Sequence, residues 1–203
     1  MTVDQAYFED MYAGSDDPWS FETRWYEQRK RTMTLAALSR PSYRSAYEPG
    51  CAIGVLSELL APRCDALLCT DAVPAAVAHA SARLAVYSHV RVAEQRVPDD
   101  WPAGPFDLIV LSEILYYFPE ETLARILDLV IGSLEPGGEL VTVHWRPRVP
   151  EHLLCGDDVA AALESTPGLA LTGRYQDLDL ILATYQRTPP VARSVAQRED
   201  LRA

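Results

Sequence analysis

The sequence predicts an α/β protein with a Rossmann-like sheet of seven mostly parallel strands, helices on both faces and a final antiparallel hairpin. Three observations lead to this prediction. Short β-rich runs alternate with helical patterns along most of the chain, which is typical of a parallel sheet covered by helices. No internal repeat interrupts this pattern. A length of 203 residues with 48% hydrophobic content suits one full core, so we expect a single domain over residues 1–187.

The elements of this sheet are expected in a regular order. The first five strands are expected from Ser45, Ala66, His89, Phe106 and Gly138, and helices are expected between them at residues 55–61, 74–85 and 119–134. Pro74 fits the first turn of its helix, where the missing N–H has no bond to make. The "EPGG" segment is expected to end the third helix.

The two ends of the chain depart from this alternation. Asp157 is placed to cap a short helix in "DDVAAALEST". The next segment, "LALTGRYQDLDLILATYQR", contains two β-rich runs without a helix between them and predicts the antiparallel hairpin. Residues 188–203 have little apolar content and are expected to form a flexible tail. Helical spacing in "YFEDMYAG" and "WYEQRKRTMTLAAL" predicts that residues 1–40 form a helical cap over the carboxyl edge of the sheet.

Charge and composition limit the partners of the protein. The net charge is −11, from 18 basic and 29 acidic residues without a dense basic cluster. Such a surface does not neutralise a phosphate backbone, so we expect no nucleic-acid partner. The first residues are polar and acidic, and no stretch approaches the ~20 apolar residues of a membrane span. We therefore expect a cytoplasmic protein with no membrane partner.

Cysteine and histidine spacing gives no sign of a metal site. The four cysteines, Cys51, Cys64, Cys69 and Cys155, have no CxxC spacing and are expected to pack as small apolar residues. The four histidines, His79, His89, His144 and His152, lack acidic or thiol partners at ligand spacing. No metal is expected, and the sequence leaves the oligomeric state open.

A glycine-containing turn, "EPGCAIG", links the first expected strand to the first helix. In an open α/β sheet, the ligand approaches the backbone at this turn, and Gly50 and Gly54 are placed for that approach. The turn lacks the third glycine of a dinucleotide fingerprint and the Gly-Lys-Ser/Thr ending of a P-loop. Glu48, two residues before Gly50, favours a ligand that carries positive charge.

A second acidic residue, Asp71, ends the second expected strand. A carboxylate at this position can accept hydrogen bonds from both ribose hydroxyls of an adenosine that lies over the sheet. Together, Glu48, the two glycines and Asp71 indicate a ligand composed of adenosine and a cationic group.

Four segments resemble the motifs of class I S-adenosylmethionine-dependent methyltransferases. "YEPGCAIG" resembles their first motif, "CTDAV" their ribose-binding acid, "FDLIVLSEILYYF" their fourth-strand motif, and "LEPGGELVTV" the turn into their fifth strand. Within this class, "DDPWSFETRWYEQRKR", "EPGCAIGVLSELLAPRCDALLCTDAVPAAVAHA" and "SEILYYF" resemble the NodS type. These are N-methyltransferases that act on a deacetylated glucosamine of a chitooligosaccharide. Arg96 stands where the third-strand motif usually has Asp.

The resemblance implies S-adenosyl-L-methionine as cofactor and S-adenosyl-L-homocysteine as product. The residues expected to contact the cofactor are Trp19, Arg24, Arg29, Glu48, Gly50, Cys51, Ala52, Gly54, Asp71, Ala72, Val73, Gln95, Arg96, Val97, Ser112 and Glu113. Trp19 is expected to cover the cofactor, with simple anchoring of the N-terminal segment as the alternative. Arg24 or Arg29 is expected to meet the methionine carboxylate.

The acceptor is expected over the ends of the fourth and fifth strands. An amine acceptor must lose a proton before it attacks, and Glu113 and His144 are placed to accept it. A hydrogen-bonded structural role is the alternative for His144. Four residues are expected to contact the acceptor: Tyr116, Tyr117, Trp145 and Arg146. An indole can stack on a pyranose ring, and a guanidinium can bind hydroxyls or carboxylates.

These features predict a methyltransferase of small molecules that N-methylates an amino sugar or a chitooligosaccharide-like amine. Two alternatives stay open: an O-methyltransferase of a small secondary metabolite, and a non-catalytic protein that binds S-adenosylmethionine. An NAD-dependent oxidoreductase is opposed by the missing third glycine of the fingerprint.

Overall fold

The computed structural model describes Val3 and residues 5–201, and it confirms the predicted sheet. Seven strands form one sheet in the order β3-β2-β1-β4-β5-β7-β6. The strands are β1 (Ala46–Pro49), β2 (Leu67–Asp71), β3 (Val90–Glu94), β4 (Phe106–Ser112), β5 (Leu134–Trp145), β6 (Leu169–Gln176) and β7 (Leu180–Arg187). The first five strands pair in parallel, whereas β7 pairs antiparallel with both β5 and β6.

Helices join these strands and cover both faces of the sheet. They are α1 (Gln5–Gly14), α2 (Trp25–Ala37), α3 (Val55–Leu60), α4 (Pro74–Leu84), α5 (Glu120–Ser133), α6 (Gly156–Glu164) and α7 (Val195–Arg198). Short 3-10 helices follow α3 at Ala61–Arg63 and β4 at Leu115–Tyr117. The expected helix bounds agree with these to within one residue at each end. The fifth strand begins four residues earlier than expected, because Leu134 already pairs with Phe106 before the "EPGG" segment.

Two hydrophobic cores lie on opposite faces of the sheet, as alternate side chains of each strand require. In β4, Ile109 and Leu111 pack with α5 and α6, whereas Leu108 and Val110 pack with α3 and α4. All four cysteines are buried and unpaired. Cys51, Cys64 and Cys69 pack in the hydrophobic core as expected, whereas Cys155 is the N-cap residue of α6.

The switch point of the sheet lies between β1 and β4, because the chain moves outward from β1 through β2 to β3 and then returns to β4. Ligands of such sheets bind at the carboxyl ends of the strands beside this point. Helices α1 and α2 precede β1, and residues of both line the cavity at that edge. Within the described residues, no helix is long and apolar enough to cross a membrane.

The start of α6 differs from the sequence prediction. Cys155, not Asp157, is the N-cap residue, and the Asp158 carboxylate accepts a hydrogen bond from the Cys155 N–H at 2.9 Å. Asp157 is the second residue of the helix and therefore not its N-cap. Its carboxylate instead binds Arg146. Of the two acidic residues in "CGDD", Asp158 completes the capping box with Cys155, and Asp157 does not take part in it.

The segment after Thr188 makes specific contacts. Ser194 and Gln197 form a capping box at the start of α7. The Arg198 guanidinium donates to the Ser39 hydroxyl at 2.7 Å, and the Gln186 side-chain amide donates to the Arg193 carbonyl at 2.8 Å. The flexibility of this segment in solution stays a prediction.

Gly54 is fixed by packing between helices. Its φ is +78°, and a Cβ at this position would lie 3.2 Å from the Cα of Ala80 in α4. We therefore expect Gly54→Ala to lower the free energy of unfolding by about 1–3 kcal/mol, because it adds both backbone strain and a steric clash. Urea denaturation measures this change.

Gly132→Ala is the matched control. Gly132 lies in α5, is exposed, and a Cβ added there meets no atom within 4 Å. This substitution is expected to raise the free energy of unfolding by about 0.5–1 kcal/mol through helix propensity. Equal effects of the two substitutions would contradict the packing role of Gly54.

Candidate active site

A cavity of about 740 Å³ opens at the carboxyl edge of the sheet beneath α1 and α2. It is lined by seventeen of the residues expected at the site: Trp19, Arg24, Glu48, Gly50, Cys51, Ala52, Asp71, Ala72, Val73, Gln95, Arg96, Val97, Ser112, Glu113, Tyr116, Tyr117 and Trp145. Arg29, Gly54, His144 and Arg146 are expected site residues that do not line it. The carboxyl ends of β1 to β5 therefore bring most of the expected residues together.

The turn after β1 approaches the cavity with its backbone. Gly50 has φ +68°, Ala52 has φ +50° and Gly54 has φ +78°, so the turn contains three left-handed residues in close succession. A Cβ on Gly50 would lie 2.9 Å from the Cδ1 of Ile114, which follows β4. Glycine thus permits close contact across the switch point between the turns that follow β1 and β4.

The Asp71 carboxylate closes this turn against the end of β2. Its Oδ2 accepts the Ala52 N–H at 2.9 Å, and its Oδ1 accepts the Val73 N–H at 3.0 Å. Burial raises the pKa of Asp71, although these two backbone hydrogen bonds act in the opposite direction. Each oxygen keeps a further lone pair, so the carboxylate can accept two hydroxyl groups from the cavity side.

Glu48 is a buried carboxylate at the end of β1. Its side chain is almost fully excluded from solvent, and the Cys69 thiol lies 3.9 Å from Oε2. Burial raises the pKa of Glu48 to about 7, with a smaller contribution from the negative charge of Asp71. A cationic group bound in the cavity would favour the ionised form of this carboxylate.

Five residues that line the cavity carry a buried side-chain polar atom with no hydrogen-bond partner among the described residues: Gln5, Tyr12, Arg31, Gln95 and His152. Two of these atoms, Gln95 Oε1 just after β3 and Arg31 Nε in α2, bear on the cofactor. Burying a polar group without a partner costs free energy, so both atoms fit a ligand that supplies the missing bonds. An adenine amino group suits the Gln95 acceptor, and a carboxylate suits the Arg31 donor.

Glu113 ends β4 with φ +59° and connects three elements of the structure. Oε1 accepts the Tyr26 hydroxyl at 3.1 Å and lies 3.3 Å from the Lys30 ammonium. Oε2 accepts the Tyr116 hydroxyl and the Trp145 N–H. Three hydrogen-bond donors and one ammonium group therefore contact the carboxylate.

These contacts decide the protonation state of Glu113. Burial acts to raise its pKa, but the charge of Lys30 and the hydrogen bond from Tyr116 outweigh burial, so the pKa is lowered. A carboxylate with a low pKa and these contacts is a weak proton acceptor. The geometry thus favours a positioning role for Glu113 over the predicted role as a base.

His144 is buried inside the sheet and not exposed to the cavity. Its Nε2 accepts the Leu115 N–H at 3.3 Å, which fits the structural alternative. Burial lowers the pKa of His144 to about 4, although the charge of Glu113 acts in the opposite direction. The side chain lies within β5 and does not line the cavity, so the geometry favours the structural alternative over the predicted role as a base.

Arg29 and Arg146 are engaged away from the cavity. Arg29 donates to the Asp177 carboxylate at 2.6 Å. Arg146 forms a bidentate pair with Asp157, at 2.8 and 3.0 Å, and also donates to the Asp177 carbonyl. Both guanidiniums thus hold the β6–β7 turn, and neither is placed for the expected ligand contacts.

The charged face of α2 was not predicted to reach the site. Glu27, Lys30 and Arg31 are buried and line the cavity. Lys30 lies 2.9 Å from Glu27, and Arg31 donates to the Phe21 carbonyl at 2.8 Å. The available signal was their spacing, because residues 27, 30, 31 and 34 fall on one face of a helix.

Aromatic side chains of the N-terminal segment form a wall of the cavity. The Trp19 ring packs between two others, with its centroid 6.5 Å from that of Phe8 and 5.7 Å from that of Tyr12. Trp19 therefore both anchors this segment and lines the cavity. Phe8 also meets Tyr117 edge to face at 5.0 Å. On the other side, Tyr26 packs against Trp145 at 5.0 Å.

His152 is a further lining residue that the sequence did not identify. It lies after β5, and its ring stacks on Tyr116 with centroids 3.8 Å apart.

In the part of the chain that the structure describes, no three His, Cys, Asp or Glu side chains are grouped as a metal site.

Comparisons with known proteins show the family to which the chain is similar. Residues 6–159 match the family model of nodulation protein S, NodS. The nodulation protein S of Sinorhizobium fredii is 30% identical over 86% of this chain and 85% of its own length. A structure of the N-methyltransferase NodS from Bradyrhizobium japonicum, in complex with S-adenosylhomocysteine, superposes with a TM-score of 0.82 at 30% identity, over 90% of this chain and 97% of that one.

A Pseudomonas syringae protein classed as a methyltransferase is 44% identical, with a TM-score of 0.73 over 81% of this chain and all of its own. The fold and the cavity, together with these matches, define a class I S-adenosylmethionine-dependent methyltransferase. The family match covers most of the chain. The chain belongs to the NodS family.

The buried, neutral state of His144 makes stability depend on pH. An unfolded histidine titrates near 6.5, so between about pH 6.5 and 4 the unfolded chain binds a proton that the folded chain excludes. The contribution of His144 to stability is therefore complete above pH 6.5 and falls as the pH is lowered. His144→Gln keeps an acceptor for the Leu115 N–H but removes this titration.

We expect the difference in unfolding free energy between the wild type and His144→Gln to shrink by about 2 kcal/mol from pH 7.5 to pH 5. Urea denaturation at both pH values measures it. The raised pKa of Glu48 has the opposite effect, but it is common to both proteins and cancels in the difference. A difference that does not change with pH would show that His144 is not held neutral.

Proposed function

We propose that this enzyme N-methylates the amine of an amino sugar or of a chitooligosaccharide-like acceptor. The observation that carries the proposal is one cavity with two chemically different ends. Asp71 and Gln95 supply hydrogen-bonding groups suited to a nucleoside at one end, and Tyr117 and Trp145 supply aromatic faces at the other. The related Bradyrhizobium japonicum protein is an N-methyltransferase of the same family.

The sheet order supports the placement of the cofactor across β2, β1 and β4. Asp71 would hold the ribose hydroxyls, and Gln95 Oε1 would accept from the adenine amino group. Arg96 and Val97 line the cavity beside Gln95 and would enclose the base. When bound, S-adenosylmethionine supplies an electrophilic methyl group on a cationic sulfonium.

The methionine part of the cofactor would lie between β1 and α2. Arg31 has a buried Nε that lacks a partner among the described residues, and it can bind the carboxylate. Glu48 offers a negative charge to the cationic end. Glu27 lies within ion-pair distance of both Lys30 and Arg31, at 2.9 and 3.7 Å. Arg31 keeps its Nε without a partner among the described residues, whereas the Lys30 ammonium also pairs with Glu113.

The aromatic end fits a sugar ring. Trp145 and Tyr117 are both partly exposed within the cavity, and an aromatic face can pack against the apolar face of a pyranose. Glu151 is an exposed lining residue that carries the negative charge a cationic amine favours. These side chains would bind and orient the acceptor and keep water from the reacting atoms.

Methyl transfer requires the protein to orient the acceptor amine and to exclude water, and the proposed placement of cofactor and acceptor meets both requirements. The reaction is an in-line displacement that leaves a neutral thioether, so orientation of the amine and exclusion of water account for most of the rate. Glu113 would keep α2 closed on the sheet through its bonds to Tyr26 and Lys30. The acceptor amine must arrive, or become, unprotonated.

Cofactor binding is tested with Arg31→Gln. We expect this change to weaken binding of S-adenosylhomocysteine by about 10–100-fold, because a charge-assisted hydrogen bond to a buried carboxylate is worth roughly 1.5–3 kcal/mol. Arg29→Gln, which alters a guanidinium on the same helix outside the cavity, is expected to stay within about twofold. Isothermal titration calorimetry measures both, and equal losses would contradict the assignment of Arg31.

Methyl transfer is tested with glucosamine oligomers. The purified enzyme, given S-adenosylmethionine and an oligomer with one free amine, is expected to add one methyl group to that nitrogen, as detected by mass spectrometry and fragmentation. The fully N-acetylated oligomer is the matched control and should remain unmodified. Methylation of a hydroxyl in the control would favour an O-methyltransferase, and binding of cofactor without any transfer would contradict the proposal.

A further inference from the structure

His152 lies at the acceptor end of the cavity, on the loop between β5 and α6. Its ring stacks face to face on Tyr116, with centroids 3.8 Å apart and an interplanar angle of 16°. Tyr117 meets the same ring edge to face at 4.9 Å. Two adjacent tyrosines thus hold the imidazole from two sides.

Backbone hydrogen bonds fix the loop that carries His152. The N–H groups of Leu153 and Leu154 both donate to the Tyr116 carbonyl, at 3.0 and 3.1 Å. The His152 N–H donates to the Val149 carbonyl at 3.2 Å. The imidazole is therefore positioned by the same 3-10 helix that follows Glu113, close to the expected reaction centre.

The chemical state of the ring suits proton acceptance. Burial lowers the pKa of His152, whereas the negative charges of Glu113 and Glu151 oppose this shift, so the imidazole is neutral near pH 7. The remaining titratable groups that face it are Tyr116, Tyr117 and His144. Nδ1 is buried and lacks a hydrogen-bond partner among the described residues.

The other candidate bases around the acceptor end are weaker. Glu113 is contacted by three hydrogen-bond donors and one ammonium group and has a lowered pKa. His144 does not line the cavity. Burial, with the charge of Glu113, raises the pKa of Tyr117, so its hydroxyl stays protonated. Among the described histidines, His152 combines contact with the cavity, a neutral ring and a nitrogen, Nδ1, that has no hydrogen-bond partner.

We infer that His152 is the general base that removes the proton from the acceptor ammonium. This inference rests on the proposed N-methylation. The imidazole takes one proton from the ammonium, and the amine lone pair that remains forms the new N–C bond to the methyl carbon. The C–S bond breaks, its electron pair stays on sulfur, and the methylated amine carries the positive charge. Tyr116 acts as a positioning residue for the ring.

The test compares His152→Gln and His152→Phe with the wild type, and uses His89→Gln as the matched control. His152→Phe keeps an aromatic ring on Tyr116 but has no basic nitrogen. His89 lies beside β3, outside the cavity, and its Nε2 pairs with the Ala61 carbonyl. The kcat for a glucosamine oligomer is measured from pH 6 to pH 10, and S-adenosylhomocysteine affinity is measured by calorimetry.

Both His152 variants are expected to lose about 10-fold in kcat at pH 7, where about one tenth of an amine with a pKa of about 8 is unprotonated, and to approach the wild-type rate as the pH passes that pKa. Their affinity for S-adenosylhomocysteine should stay within about twofold, and His89→Gln should match the wild type throughout. Added imidazole is expected to restore part of the activity of His152→Gln.

Three results would overturn the inference. One is a kcat within about threefold of the wild type at pH 7 in both variants. The second is a loss of kcat that is the same at every pH, which would indicate that His152 only shapes the cavity. The third is a wild-type enzyme that binds S-adenosylhomocysteine but methylates no amine. That result removes the proposed function as well, whereas the first two leave it intact.

Discussion

The Glu113 carboxylate connects the two halves of the active site. It accepts hydrogen bonds from Tyr26, Tyr116 and the Trp145 backbone and pairs with Lys30, so α2, β4 and the end of β5 meet at one partly buried anion. Removing one member of a buried charged network leaves the others without compensation. The packing of α2 on the sheet therefore depends on this charge.

Because of these contacts, Glu113 cannot both hold the network together and act as a general base. A base needs a lone pair directed at the substrate and a pKa near the working pH, and Glu113 has neither because its donors stabilise the ionised form. Proton acceptance then falls to a group outside the network. His152 stacks on the ring of Tyr116, whose hydroxyl donates to Glu113, so Tyr116 stands between the imidazole and the carboxylate.

The ends of the cavity differ in how they are built. The cofactor end consists of backbone turns and carboxylates at strand ends, where Gly50 and Asp71 are fixed by the sheet itself. The proposed acceptor end consists of side chains on the 3-10 helix after β4, at the end of β5 and on the loop that follows it, including Tyr117, Trp145 and His152. A sheet edge gives rigid geometry to the shared cofactor, while loop side chains can vary with the acceptor.

Local sequence determined the strands, the helices and the cofactor turn, because hydrophobic periodicity and glycine placement act over a few residues. The alternation of Leu108 and Ile109 across the sheet, and the position of Asp71 after β2, follow directly from it. Tertiary structure decided which charged side chains reach the site. Arg29 and Arg31 are two residues apart, yet their helix directs one to Asp177 and the other to the cavity. Likewise, His144 is buried within β5 and His152 faces the cavity, because packing against distant elements, which no local pattern encodes, sets the environment of each ring.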